Sequence, residues 1–228
     1  MPRRSGRGGS FAEPRGRGGS EPAALPATAR AVRPGDKVRL FLAAELSSAA
    51  MRDVARCAAE LRSRLGLPRG QGRWVAPVSY HITVKFLGWT MPEVAEAISD
   101  AMTAALAAQP IKPFDIEGSG AGAFPSAERA RVLWAGVADP RAGLTQLAAL
   151  CEQALTGLGF DSDTRPFHPH VTLARLKPAV DLRERLFDDS EQVFRRCRVS
   201  ALTLFESTLK SGGSEYTVRA RFGLETGE

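Results

Sequence analysis

The sequence predicts an α+β fold over residues 38–228. Apolar runs of strand length recur along this region, and such runs favour β-strands. Between them, apolar residues at helical spacing predict amphipathic helices. The segment Ser211-Gly-Gly-Ser214 predicts a hairpin turn before a last strand, which argues against a purely parallel sheet.

The helix boundaries carry the clearest local signals. Ser47 or Ser48 is predicted to cap a helix that ends near Gly66, because serine accepts hydrogen bonds from the first helical amides. Thr90 and Glu93 have the spacing of a capping box that opens a second helix. The glycine-rich segment 118–124 is predicted to be a loop. The predicted strands are 38–46, 74–75, 80–87, 114–117, 131–138, 170–176 and 216–224, and residues 193–209 are predicted to be a long strand-rich stretch. The predicted helices are 48–66, 90–109, 140–157 and 180–188.

The positive charge of the chain lies at its N-terminal end. The whole sequence has 31 Lys and Arg against 25 Asp and Glu, but residues 1–37 alone hold eight basic and three acidic residues, with seven Gly and five Pro. Such a stretch buries too little apolar surface to offset the entropy of ordering. We therefore predict a disordered extension at 1–37 and a globular domain at 38–228. Arginine-glycine repeats of this kind can bind RNA, although a solubilising extension is the simpler interpretation.

Composition excludes several classes of protein. No apolar run approaches the ~18 residues of a spanning helix, so no membrane association is expected. The N-terminal arginines are followed by no apolar segment, which argues against a secretory signal. Three separated cysteines, Cys57, Cys151 and Cys197, argue against a disulfide scaffold and favour the cytoplasm. The tryptophans, Trp89 among them, are predicted to lie in or near the core.

Two short segments contain all three histidines of the chain. The segments Tyr80–Gly88 and Phe167–Arg175 each contain His-apolar-Thr-apolar, beginning at His81 and at His170. In a strand, residues i and i+2 lie on one face. Each histidine therefore shares a face with the threonine two residues on, Thr83 or Thr172, while the apolar residues between them face a core.

Two His-Thr pairs in one cleft suit displacement at a phosphodiester. Imidazole has an unperturbed pKa of about 6.5, so a histidine pair can supply one base and one acid near neutral pH. The threonine hydroxyls can donate hydrogen bonds to phosphate oxygens, and an arginine can stabilise the charge that develops on them. This scheme requires no metal, and no cofactor is expected.

The alternation of side chains along a strand predicts on which face the basic residue after each motif lies. Lys85 is predicted to share the face of His81 and Thr83 and to be a solvated charge. Arg175 falls on the opposite face from His170 if the strand alternates strictly. A role for Arg175 in the cleft therefore requires a β-bulge or a strand end between them.

The chain resembles the 2H phosphoesterase superfamily. The closer resemblance is to the bacterial and archaeal RNA 2′,3′-cyclic phosphodiesterases, also called 2′-5′ RNA ligases. It extends over nearly all of residues 38–224. The segments that carry it are Arg39–Ala43, Trp74-Val75, His81–Gly88, Phe124-Pro125, Arg131–Gly136, Phe167 and Pro169–Arg175.

The resemblance implies a two-lobed, pseudo-symmetric fold with mainly antiparallel sheets flanking a central cleft. It also implies hydrolysis of RNA 2′,3′-cyclic phosphate ends to a monoester, the 2′-phosphate, with reverse ligation as a further activity. In such enzymes the first histidine is the proton donor and the second the proton acceptor. The residues that match are His81 as donor, His170 as acceptor, Thr83, Thr172 and Arg175 as phosphate contacts, and Phe124 as a stacking surface for the terminal base.

Other functions remain open at this stage. The substrate could be tRNA fragments or other oligoribonucleotides, taken by a monomeric enzyme, or instead a small cyclic nucleotide or ADP-ribose cyclic phosphate. A non-catalytic RNA-binding protein would also use a cleft with a basic extension. A zinc site built from His81, His168 and His170 is a further alternative, although His168 is better interpreted as a structural residue at the cleft rim.

Overall fold

The computed structural model describes residues 37–68, 70–184, 192–210 and 213–225. Within these ranges nine strands and three α-helices are present. The strands are β1 (Val38–Glu45), β2 (Gly72–Trp74), β3 (His81–Thr90), β4 (Phe114–Phe124), β5 (Ala130–Ala138), β6 (His170–Val180), β7 (Gln192–Val199), β8 (Ala201–Lys210) and β9 (Gly213–Gly223). The helices are α1 (Ser48–Leu65), α2 (Val94–Ala108) and α3 (Gly143–Thr156).

The strands form one antiparallel sheet made of two lobes. Its order is β7-β4-β5-β6-β3-β1-β8-β9, and β2 pairs with the free side of β6. The lobes join where β3 meets β6, at the pair Ile82–Val171. Each lobe contains an outer strand paired with a His-x-Thr strand, β1 with β3 and β5 with β6. The predicted α+β, two-lobed and mainly antiparallel architecture is therefore confirmed.

Among the described residues, the three helices cover one face of the sheet and leave the other, named here the open face, without a helix. The apolar partners of the motif residues, Ile82, Val84, Val171 and Leu173, are buried in the core. Helix α1 packs on β7 of the other lobe and α3 packs on β3, so each lobe contributes a helix to its neighbour. This exchange ties the lobes together with buried apolar surface, which stabilises the relative position of β3 and β6.

The ends of α1 follow the sequence prediction. The Ser47 side chain accepts a hydrogen bond from the amide of Ala50, and Gly66 closes the helix with a φ of 53°. The other two helices start later than predicted. Thr90 instead ends β3, so it forms no capping box. For α3, the carboxylate of Asp139 accepts hydrogen bonds from the first helical amides, which satisfies donors that lack partners within the helix.

The glycine-rich segment 118–124 is strand rather than loop. Its glycines make room for aromatic rings that cross the strand: a Cβ on Gly118 would lie 2.1 Å from the Phe194 ring, and one on Gly122 would lie 2.1 Å from the Trp134 ring. The strand-rich stretch predicted at 193–209 consists of two strands, β7 and β8, which are divided at Ser200. The predicted extension at 1–37 lies, except for Lys37, outside the described residues. So does the end of the predicted helix 180–188, whose first residue belongs to β6.

No helix in the described ranges combines the length and the apolar character needed to cross a lipid bilayer.

Candidate active site

The two motif histidines are held in the same way. Nδ1 of His81 donates to the carbonyl oxygen of Ser79 at 2.8 Å, and Nδ1 of His170 donates to the carbonyl oxygen of His168 at 2.7 Å. A carbonyl oxygen can only accept, so each Nδ1 carries a proton. The second nitrogen, Nε2, is then the atom that gains or loses a proton in each ring.

The register at the lobe joint brings the two motifs together. Ile82 pairs with Val171, and each of these residues immediately follows its histidine. Continuing this antiparallel register by one residue places His81 across from Thr172 and Thr83 across from His170. The predicted pairs therefore form a four-residue group on the open face of the sheet.

Burial lowers the pKa of both histidines below the ordinary value of 6.5. For His81 the hydrogen bond to Ser79 raises the pKa in opposition, and the charges of His170 and Arg175 lower it further. For His170 the hydrogen bond to His168 raises the pKa, and the charges of His168 and Arg175 lower it. Both imidazoles are therefore biased towards the neutral form, and the positive charge of Arg175 acts on both of them.

A bulge in β3 reverses the predicted position of Lys85. Ala43 pairs with Thr83 but Leu42 pairs with Lys85, so one extra residue of β3 is inserted at this point. Because side chains alternate along a strand, the insertion turns Lys85 to the helix-covered face. There its Nζ contacts the Glu152 carboxylate at 2.8 Å and donates to the carbonyl oxygen of Asp161 at 3.0 Å. The prediction of a solvated Lys85 on the face of His81 is wrong.

A matching bulge in β6 brings Arg175 to the cleft face. Trp134 pairs with Thr172 and Leu133 pairs with Ala174, so β6 also gains one residue after its threonine. The bulge that a role for Arg175 requires is therefore present. Arg175 pairs with Val132 of β5 on one side and with Arg73 of β2 on the other.

Aromatic rings surround each histidine. Around His170 lie Phe124, with ring centroids 5.1 Å apart, and Trp134, at 6.3 Å. The predicted stacking residue Phe124 is thus placed beside the second motif. His168 packs on Trp134 at 4.8 Å and is exposed at the rim, as expected. Its backbone carbonyl, rather than its ring, holds His170.

The rings around His81 were missed by sequence reasoning. Phe41 lies at 4.8 Å and Tyr216 at 5.1 Å, and Phe205 lies at 6.3 Å. These residues belong to β1, β8 and β9. The sequence signal for these residues is the alternation of side chains within each strand. This alternation indicates which residues of one strand share a face, but it does not show that three strands distant in the sequence meet beside His81.

The residues opposite the two histidines differ. Glu45 pairs with His81, and its carboxylate accepts hydrogen bonds from Thr203 at 2.7 Å and from Arg221 at 2.9 Å. The Arg221 guanidinium lowers the pKa of Glu45. Gly136 pairs with His170 and has no side chain to place there. The two halves of the cleft are therefore related in backbone but different in chemistry.

The zinc alternative has no support in the geometry. Among residues 37–68, 70–184, 192–210 and 213–225, no three His, Cys, Asp or Glu side chains are grouped so that they could hold a metal ion. What the described cleft does contain is a pair of titratable imidazoles, two hydroxyls and a guanidinium.

A two-lobed antiparallel sheet with one His-x-Thr motif per lobe defines a 2H phosphoesterase. The family model of the 2′-5′ RNA ligase superfamily matches residues 40–210. The chain belongs to this superfamily.

Individual relatives are consistent with this family membership. The chain is 36% identical over 141 residues to an RNA 2′,3′-cyclic phosphodiesterase of Aeropyrum pernix, covering 60% of this chain and 78% of the relative. It is 35% identical over 157 residues to an RNA 2′,3′-cyclic phosphodiesterase of Aquifex aeolicus, covering 67% and 82%. Among solved structures, Escherichia coli LigT complexed with 3′-AMP matches with a TM-score of 0.66 and 28% identity, covering 82% of this chain and 98% of LigT.

Proposed function

We propose that this chain is an RNA 2′,3′-cyclic phosphodiesterase that opens the cyclic phosphate to a 2′-phosphate, with His81 as proton donor and His170 as proton acceptor. The observation that carries the proposal is the pair of motif histidines, each fixed through Nδ1 to the carbonyl oxygen two residues earlier. Both rings therefore have Nε2 available for proton transfer on the open face. Relatives from Aeropyrum pernix and Aquifex aeolicus carry the name of this activity.

The reaction is an in-line displacement by water. Nε2 of His170 removes a proton from the water as its oxygen attacks phosphorus. The bond between phosphorus and the 3′-oxygen then breaks, and protonated His81 donates its Nε2 proton to that oxygen. The product is a 2′-phosphate with a free 3′-hydroxyl. The same displacement, with an RNA 5′-hydroxyl in place of water, forms a 2′-5′ linkage: His170 removes the proton of the 5′-hydroxyl and His81 protonates the leaving 3′-oxygen.

The remaining cleft residues hold the phosphate. Thr83 and Thr172 donate their hydroxyl hydrogens to the non-bridging oxygens, and Arg175 offsets the charge that builds on those oxygens in the transition state. Phe124 stacks on the terminal base. All groups in this scheme belong to the chain, and no cofactor enters it.

The negative charge of the substrate favours the protonated imidazole that acts as the acid. Burial favours the neutral form of both histidines, which suits His170 as the base. An anionic cyclic phosphate bound between the two rings favours the protonated form of an imidazole. In the proposed mechanism His81 takes this protonated form. Binding of the substrate therefore supplies the protonated His81 that the mechanism requires.

The proposed substrates are tRNA fragments or other oligoribonucleotides with a cyclic phosphate end, hydrolysed by a cytoplasmic monomer. In this arrangement residues 38–228 form the catalytic domain, and residues 1–37 form an extension that the chemistry does not use.

The test is hydrolysis of an oligoribonucleotide that ends in a 2′,3′-cyclic phosphate, with excess EDTA. Wild type is compared with His81→Ala and His170→Ala, and with His168→Ala as a matched control, because its ring is placed outside the reaction. The expected result is turnover to the 2′-phosphate isomer, a loss of at least about 100-fold in each motif variant, and retained turnover in the control.

Each contrary result is informative. Turnover that survives both motif substitutions would refute the two-histidine mechanism, and a 3′-phosphate product would reverse the assigned leaving group. Inactivity on RNA with turnover of 2′,3′-cyclic AMP or ADP-ribose cyclic phosphate would assign a small substrate. RNA binding without any turnover would assign a binding protein.

A further inference from the structure

The open face of β3 continues past the catalytic pair as a row of aromatic side chains. After the bulge that follows Thr83, Phe86 pairs with Phe41, and a second irregularity occurs before the pair Arg39–Trp89. Each inserted residue reverses the alternation of side chains. His81, Thr83, Phe86 and Trp89 therefore all lie on the same face of the strand.

These aromatic rings are open to solvent. Phe86 is 52% exposed and Trp89 is 56% exposed, whereas Leu87 between them is buried. The expectation that Trp89 lies in or near the core is wrong; it rested on the general preference of tryptophan for buried positions. Two exposed aromatic rings on one face of a strand form a candidate contact surface.

A cation lies against this surface. The guanidinium carbon of Arg39, on the neighbouring strand β1, is 4.6 Å from the centroid of the Phe86 ring. We name Arg39, Phe86 and Trp89 the β3 platform. A combination of aromatic faces and an arginine is the chemistry that binds single-stranded nucleic acid, because bases stack on the rings while the cation attracts the phosphates.

Phe86 of the platform and Arg175 of the proposed phosphate site occupy corresponding positions in the two lobes. Phe86 follows His81 by five residues, and Arg175 follows His170 by five residues, each after an equivalent bulge. The two lobes therefore present different groups at corresponding positions of the cleft face. The lobe of β6 offers a guanidinium beside the reacting phosphate, and the lobe of β3 offers a hydrophobic ring.

The platform extends along β3 away from the phosphate contacts. When the bulges are discounted, Phe86 lies two strand steps beyond Thr83, about 7 Å, and Trp89 lies four steps beyond it, about 13 Å. The terminal base is assigned to Phe124, on the other lobe. The platform is therefore left for another nucleotide.

We propose that the β3 platform binds the nucleotides that precede the terminal one in the same RNA strand, so that the enzyme selects oligoribonucleotides over mononucleotide cyclic phosphates. This proposal rests on the proposed function. The surface of the β3 platform continues directly from the cleft through Phe41. The ring centroid of Phe41 lies 4.8 Å from that of His81, and Phe41 pairs with Phe86. An RNA strand leaving the cleft along β3 thus meets Phe86 first and Trp89 next.

The test compares hydrolysis of a pentaribonucleotide ending in a 2′,3′-cyclic phosphate with hydrolysis of 2′,3′-cyclic AMP. The variants are Phe86→Leu, Trp89→Leu and Arg39→Gln in the full chain. Two exposed residues away from the open sheet face provide matched controls, Leu158→Ala for apolar surface and Arg52→Gln for charge. Thermal unfolding of every variant checks that the domain remains folded.

The expected result is a KM for the pentamer that rises about tenfold in each aromatic variant, with kcat unchanged. The KM for cyclic AMP should stay within about twofold of wild type, because this substrate does not reach the platform. Arg39→Gln should raise the KM for the pentamer and weaken its dependence on salt. The controls should match wild type on both substrates.

Two results would overturn the proposal. An unchanged KM for the pentamer in the aromatic variants would show that RNA does not contact the platform. Equal losses on both substrates would assign the residues a structural role. If wild type hydrolyses neither substrate, the proposed function has failed, and the platform is then judged by fluorescence anisotropy of a labelled pentaribonucleotide 3′-phosphate. Weaker binding of this RNA by the platform variants than by the controls supports the proposal that the platform binds RNA, and equal binding refutes it.

Discussion

Replacing Lys85 by Met should strongly destabilise the domain. The Lys85 side chain is 4% exposed and its Nζ lies 2.8 Å from a carboxylate oxygen of Glu152, whose side chain is 29% exposed. The ammonium also donates to the carbonyl oxygen of Asp161. Met keeps the length and apolar character of the side chain, so the substitution removes the charge and both hydrogen bonds without creating a large cavity.

The magnitude follows from what the lost ammonium leaves behind. Removing one partner of a buried ion pair costs about 3–5 kcal/mol, because the remaining charge is uncompensated. Glu152 is partly exposed and can regain water, which places the expected loss near the lower limit, about 3 kcal/mol. For a domain of this size each kcal/mol shifts the Tm by about 2–4 °C. A decrease in Tm of roughly 9 °C is therefore expected.

The assay is urea unfolding at pH 7, supported by thermal unfolding. The double variant Lys85→Met with Glu152→Met removes both charges and should regain stability to within about 1 kcal/mol of wild type. The control is Arg165→Met, which breaks an ion pair with Asp163 whose side chains are 85% and 56% exposed. This surface pair should contribute less than about 1 kcal/mol. A loss below about 1 kcal/mol in Lys85→Met, or a double variant no more stable than the single one, would refute the reasoning.

Three further outcomes are expected. Gly122→Ala places a Cβ 2.1 Å from the Trp134 ring and should destabilise the domain by about 1–3 kcal/mol through overpacking with altered tryptophan fluorescence; an unchanged free energy of unfolding and spectrum would contradict the packing. His81 and His170 have lowered pKa values, so NMR titration should place both below 6.5. The folded state then binds fewer protons than the unfolded one between those pKa values and 6.5. The free energy of unfolding that this difference contributes is therefore fully present above pH 6.5 and decreases as the pH falls from 6.5 through the lowered pKa values. The dependence of the free energy of unfolding on pH should be weaker in His81→Gln, and an unaltered dependence would argue against a lowered pKa of His81. Arg175→Met should lower kcat by about 10²–10³-fold on a cyclic phosphate substrate, with partial recovery in Arg175→Lys; full activity in the Met variant would remove Arg175 from the phosphate site.

Local sequence was sufficient for much of the fold and for the central pair of motifs. Strand and helix periodicity predicted the α+β class, since each depends on residues within a few positions of one another. The repeated His-x-Thr pattern predicted two histidines and two threonines on one face for the same reason. The cap at Ser47 and the helix end at Gly66 were also local, and the structure confirms both.

Predictions that assumed unbroken alternation or treated glycine as a turn signal were wrong. Lys85 turned inward because the first bulge in β3 depends on the pairing of this strand with β1. The segment 118–124 is a strand because its glycines admit aromatic rings from β5 and β7. In each case the deciding neighbour is distant in the sequence.

The tertiary structure alone decided how the two halves of the cleft differ. Arg175 and Phe86 occupy corresponding positions, but strict alternation excludes both from the faces of their histidines. Bulges whose positions depend on pairing with β5 and β1 bring them there. A bulge is a property of two strands in register, and register is set by packing across the whole sheet. The sequence therefore determined which residues are the candidates for the chemistry, and the pairing of distant strands decided which of their neighbours lie on the same face.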